Sequence, residues 1–171
     1  FIMPGKENII LTGFMGTGKT TVGRLLAESL GYDFIDTDTL IVSRYKKSIA
    51  EIFKDQGEAS FREIEAQIAL ELSMQEGLVI STGGRMMLNP RNVSVLEKTG
   101  KVFCLTASPK EILKRISADP GAERPLLQGE NPLQRIIQLL EERQSGYSRF
   151  TQIITSNKPP KEIVLKIKEL L

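Results

Sequence analysis

A chain of 171 residues, 40% apolar and 26% charged, has the length and composition of one domain with a proper core. A formal net charge of +2 is too small to argue for nucleic acid or a membrane surface, neither of which is expected as partner, so any basic site must be local and built by particular arginines. Histidine is absent, which removes imidazole catalysis and most zinc sites, and a single cysteine excludes an intrachain disulfide framework. No stretch reads as a signal peptide or a bilayer span, and together with the lone thiol this predicts a cytoplasmic protein. No interface signature is visible, so a monomer is expected.

Asn8-Ile9-Ile10-Leu11-Thr12 reads as a short buried strand and residues 20–30 as a helix. Between them, residues 13–21 fit G-x-x-x-x-G-K-[ST], with Gly13, Gly18, Lys19 and Thr20 at the fixed positions. Glycines let the backbone turn so that successive N–H groups face a phosphate. The lysine reaches the outer phosphates, the threonine hydroxyl suits Mg²⁺, and the helix N-terminus adds its positive end. A strand before and a helix after make this a nucleoside triphosphate site rather than a Gly-rich turn with a solvated lysine.

A strand over 33–35, entered after the helix terminator Gly31, ends in Asp36-Thr37-Asp38. Leu40 and Ile41 predict a short helix over 39–45, and Ser48 with Glu51 predicts a capping box opening the next. A helix over 57–75 puts Phe61, Ile64, Ile68 and Leu72 on one face. The third strand, 78–81, runs into Thr82-Gly83-Gly84-Arg85. A helix covers 90–98, a fourth strand over 101–106 buries Cys104, and Ser108 caps a helix that opens on Pro109 and runs to 117. Residues 118–131, rich in Pro and Gly, break the rhythm and read as a lid or binding loop. A helix over 132–147, a fifth strand over 152–155 and a terminal helix over 160–171 complete the chain. This alternation predicts an α/β fold in a single domain, with a parallel sheet covered on both faces. Such sheets bind ligands at the carboxyl ends of their strands. The phosphate loop, Asp36-Thr37-Asp38 and Gly83-Gly84 all fall there.

A bound triphosphate can be hydrolysed, transferred or sensed. A GTP switch is expected to carry N-K-x-D, which is absent, and a nucleic-acid motor is usually larger. A small kinase remains. Asp36 and Asp38 can also be read blandly, as a strand-end turn in which Asp38 caps the next helix. Arg62, close to Glu58, Glu63 and Glu65, and Arg143, after Glu141 and Glu142, read by themselves as ordinary helical surface charge.

The motifs taken in order resemble the shikimate kinase family over nearly the whole chain. They are residues 13–21, Asp36-Thr37-Asp38, Phe61-Arg62-Glu63-Ile64-Glu65, Gly83-Gly84, Arg124-Pro125-Leu126-Leu127, and Arg143 with Tyr147. The resemblance implies a P-loop NTPase-type three-layer αβα fold like that of nucleoside monophosphate kinases. It would have a five-stranded parallel sheet, a lid loop over 118–131 and substrate-binding helices over 36–76. It further implies Mg²⁺-dependent transfer of the γ-phosphate of ATP to the 3-hydroxyl of shikimate, in aromatic amino-acid biosynthesis. By the same resemblance, Gly16, Thr17, Gly18, Lys19, Thr20 and Thr21 cradle ATP, Thr20 ligates the metal, and Asp36 supports it through water. Asp38 holds the acceptor hydroxyls and takes the proton. Arg62, Arg143, Gly83 and Gly84 hold the substrate, with the two guanidiniums on its carboxylate. Arg124 neutralises charge on the transferred group. Arg115, Lys158 and Pro160 match positions that flank the adenine or the phosphates.

One departure stands out: where the family usually has a third glycine, this chain has Arg85. Either its backbone is ordinary and the side chain points away, which is the expectation, or a long cation enters the substrate site. Two rivals stay open. One is a kinase for another small hydroxy acid or sugar, such as gluconate. The other is a non-catalytic nucleotide-binding regulatory module.

Overall fold

The computed structural model describes residues 5–119 and 129–171. The chain runs β1 (Asn8–Thr12), α1 (Lys19–Leu30), β2 (Asp33–Asp36), α2 (Thr37–Tyr45), α3 (Ile49–Ser73), β3 (Leu78–Ser81) and α4 (Pro90–Glu97). It continues through β4 (Gly100–Thr106), α5 (Pro109–Ser117), α6 (Pro132–Tyr147), β5 (Thr151–Ile154) and α7 (Pro160–Glu169). The sheet has five parallel strands in the order β2-β3-β1-β4-β5. The central strand β1 is buried on both faces, so it carries a continuous apolar run instead of an alternating one. Successive side chains still point to opposite faces. Ile10 joins Ile41, Ile64 and Leu96 from α2, α3 and α4, whereas Ile9 and Leu11 join Val22 and Leu26 of α1 and Ile163 and Ile167 of α7. That division is the three-layer arrangement the resemblance implies. A smaller apolar group, Phe14 with Ile112, Ile116 and Ile136, ties the phosphate loop to α5 and α6.

Most local signals act where the sequence places them. The Ser48 hydroxyl accepts from the Glu51 N–H at 3.1 Å, and the Ser108 hydroxyl from the Glu111 N–H at 3.2 Å. The helix opened at Ser48 and the one expected from Gly57 follow each other directly within α3, separated by a kink at Gly57, whose φ 85° and ψ 168° are not helical. A short 3₁₀ turn over Met86–Leu88, which periodicity does not signal, buries Met86 and Met87 beneath the Gly83-Gly84 loop. Among the described residues no helix is long and apolar enough to cross a membrane.

Asn8 locks the opposite end of the sheet. Its side-chain amide donates to the Gln75 carbonyl at 2.8 Å, and its oxygen accepts from the buried Leu78 N–H at 2.9 Å. Asn8→Ala leaves that N–H without a partner, so we expect a loss of about 2 kcal/mol. In urea titration this appears as a lower midpoint at unchanged slope, and a shift under about 0.5 kcal/mol would contradict the assignment.

Candidate active site

The carboxyl ends of β1, β2 and β3 open onto a cavity of about 520 Å³, whose lining includes Lys19, Thr20, Asp36, Asp38, Gly84 and Arg143. A larger hollow of about 620 Å³ lies around Lys6, Glu76 and Lys98, and none of the motif residues reaches it. The motif residues converge on the first.

Sterics dictate the phosphate loop. Gly13 sits at φ 134° so close to β4 that a Cβ would lie 2.3 Å from the Leu105 carbonyl oxygen. Gly18, at φ 99°, turns the chain into α1. The Thr17 hydroxyl is buried under the loop and donates to the Phe14 carbonyl at 2.7 Å. Lys19 Nζ donates to the carbonyls of Gly13 at 2.6 Å and Phe14 at 3.0 Å, so the ammonium rests on the rim of the cradle it would serve. Burial lowers its pKa to about 8, against the opposing pull of Asp38.

The two aspartates divide. Asp36 Oδ1 accepts from the Thr39 N–H at 3.0 Å and caps α2, while Oδ2 faces the Thr20 hydroxyl at 3.5 Å. The capping residue is therefore Asp36 and not Asp38, and α2 begins at Thr37 instead of Thr39. Asp38 is left pointing into the cavity, so near Gly83 that a Cβ there would lie 2.7 Å from its Oδ1. Burial, then the charge of Asp36, raises its carboxyl above the ordinary value, with Lys19 and Arg62 opposing. Thr37 is buried beneath, and its hydroxyl accepts from the Gly83 N–H at 2.9 Å, joining the ends of β2 and β3.

Arg143 enters from α6. Its guanidinium lies 5.2 Å from the Phe14 ring centroid and against Gly84, where a Cβ would come within 3.3 Å of one nitrogen. Tyr147, one turn on, donates its hydroxyl to the Gly84 carbonyl. Arg62 is set on α3 beside the packed Phe53 and Phe61 rings and gives Glu65 a 2.7 Å ion pair. It does not line the cavity, although its charge is felt at Asp38. Arg85 has ordinary backbone angles, φ −112° and ψ −4°, and points to Glu58 at 3.8 Å. The expected harmless geometry therefore holds for the backbone.

Gly16, Gly18, Thr21, Gly83 and Arg115 also line the cavity. Arg115 is held by the Gly16 carbonyl at 3.2 Å and by Thr155, through its hydroxyl at 3.0 Å and its carbonyl at 2.9 Å. Lys158 and Pro160 do not line it, and Lys158 borders a separate groove with Glu162 and Lys166. Arg124 lies outside the described residues, as does most of the expected lid. The sequence reading missed Thr155, which is buried just past β5 and also donates its hydroxyl to the Thr17 carbonyl at 2.9 Å. Its only signal was its place at a strand's carboxyl end.

The family model for shikimate kinase matches residues 15–171 of this chain. A shikimate kinase of Caldicellulosiruptor saccharolyticus is 48% identical over 141 residues, which is 82% of this chain and 81% of the relative. One from Caldanaerobacter subterraneus subsp. tengcongensis is 45% identical over 163 residues, 94% of each chain. Among solved structures, shikimate kinase from Acinetobacter baumannii in complex with shikimate superposes with a TM-score of 0.86 at 38% identity. It covers 96% of this chain and 92% of that one.

Thr155→Val keeps the shape of the side chain and removes its hydroxyl contacts to Arg115, to the loop at Thr17 and to the Thr106 carbonyl. We expect ADP binding to weaken about tenfold, ~1.4 kcal/mol, in calorimetric titration with folding intact. Unchanged affinity would separate this anchor from the nucleotide site.

Proposed function

The chain belongs to the shikimate kinase family, and on that premise we propose how its residues divide the ATP-dependent phosphorylation of shikimate. Lys19 leaves the Gly13 and Phe14 carbonyls and meets the β- and γ-phosphates, while the backbone of residues 16–21 cradles the rest. Phosphoryl transfer asks a protein mainly for alignment and charge neutralisation; the described lining offers directed donors for the first, and the metal and Arg124 are assigned to the second. Asp38 takes the hydrogen bond of the attacking 3-hydroxyl and receives its proton. Arg143, and Arg62 from outside the cavity wall, orient the acceptor through its carboxylate, with Gly83 and Gly84 as the close backbone surface. Arg115 anchors the nucleotide side of the loop. Lys158 and Pro160 are assigned to the adenine end, and Arg124 to charge on the transferred group, on their motif matches alone.

The residues fit Mg²⁺. Thr20 and Asp36 offer hard oxygen ligands beside the cradle, as suits an ion that keeps several waters and arrives with substrate phosphates. Thr20 would hold it directly and Asp36 through water, and when bound it supplies charge neutralisation at the phosphates. We assign residues 36–76 to acceptor binding and 118–131 to a lid, within one catalytic domain. The working form we propose is a cytoplasmic monomer with neither nucleic acid nor membrane as partner, in keeping with a net charge of only +2.

The single observation that carries this reading is the convergence of Lys19, Asp38 and Arg143, from three distant parts of the chain, on one cavity. ADP release measured with ATP, Mg²⁺ and shikimate, gluconate, a nucleoside monophosphate or no acceptor tests it. Stimulation by shikimate alone is expected, and its absence in folded protein would overturn the assignment. Arg62→Ala and Arg143→Ala should each raise the KM for shikimate at least about tenfold and leave that for ATP within about twofold. An unchanged shikimate KM in both would remove the carboxylate clamp.

A further inference from the structure

Arg62 is already engaged by two carboxylates. Its NH1 pairs with Glu65 Oε1 at 2.7 Å, and its NH2 reaches Glu58 Oε1 at 3.4 Å. A guanidinium in that position has both edges occupied, and the three groups together carry a net charge of −1, the wrong sign for receiving an acid. Arg85 changes the count. Its NH1 lies 3.8 Å from the same Glu58 oxygen that Arg62 touches, so one carboxylate oxygen is shared between two guanidiniums and the four-residue cluster is neutral. The shared contact to Arg62 is also the longer and weaker of that arginine's two and its carboxylate is exposed, whereas Glu65 is buried. Glu58 is the partner that can be drawn off.

Resting on the carboxylate role proposed for Arg62, we propose that Arg85 is a positioning residue for the acid substrate. It holds Glu58 in competition with Arg62 and so leaves one edge of the Arg62 guanidinium available to the acceptor's carboxylate. Backbone geometry does not account for an arginine here, because φ −112° is open to any residue. Nor does core packing, because the side chain is 55% exposed. Among the described residues its ion-pair partner is Glu58.

The experiment measures shikimate and ATP kinetics at low ionic strength for the wild type, Arg85→Ala, Arg85→Lys, Glu58→Gln and the Arg85→Ala/Glu58→Gln double variant. Half-exposed pairs are weak, so the expected effect is modest. Arg85→Ala should raise the shikimate KM about three- to fivefold at unchanged kcat and ATP KM. Arg85→Lys should restore most of the loss, and the double variant should return to within about twofold of wild type, because a neutral residue 58 no longer claims Arg62. The difference should shrink in 0.5 M salt, where the Debye length is only a few ångströms. An Arg85→Ala KM that is unchanged or lower, or a double variant that keeps the full defect, overturns the proposal while the wild type's shikimate-dependent turnover still stands. Loss of that wild-type turnover would instead bring down the function reading, and this inference with it.

Discussion

The site turns on one carboxylate with two duties. Asp36 Oδ1 satisfies the Thr39 N–H and starts α2, and Oδ2 faces the Thr20 hydroxyl on the first turn of α1. Through those contacts the end of β2 is tied both to its own helix and to the phosphate-loop helix. Local capping is thereby complete without Asp38, which is free to face the cavity. Had Asp38 served as the cap, its oxygens would be spent on backbone instead of facing the cavity.

Charge in the described lining is balanced. Lys19, Arg115 and Arg143 face Asp36, Asp38 and Asp119. A triphosphate entering such a site gains little from net charge. It gains from directed donors: loop N–H groups, the amino end of α1, and an ammonium whose burial already lowers its pKa. The balance also explains why the proposed chemistry asks for a divalent cation and a further arginine from residues 118–131.

Much of this is legible in the sequence. The five strands fall within a residue or two of their expected limits, because β1, β3 and β4 are short apolar runs closed by Gly, Thr and Ser signals. The Ser48 and Ser108 caps act as their three-residue spacing to glutamate predicts. What was not legible depends on contacts distant in sequence. The Thr155 anchor links residues 138 apart, and nothing near position 155 announces it. Which of Asp36 and Asp38 caps α2 is decided by a shift of two residues in the helix start, finer than pattern reading resolves. Arg85 is the instructive case. Sequence flagged it as a missing glycine, but the backbone there needs none, and its meaning lies in the Glu58 oxygen it shares with Arg62.

The central claim, that capping by Asp36 releases Asp38 for the acceptor, is tested most directly by Asp38→Asn, with thermal stability, ADP affinity and turnover measured on one preparation. Because burial raises the Asp38 carboxyl in the folded protein, ionising it costs stability as pH rises through and above the ordinary carboxylate range, and the neutral amide removes that cost. The account therefore predicts a variant at least as stable as wild type at pH 7, with ADP affinity within about threefold and turnover lower by about a hundredfold or more. A variant that keeps turnover within a few-fold of wild type would contradict it.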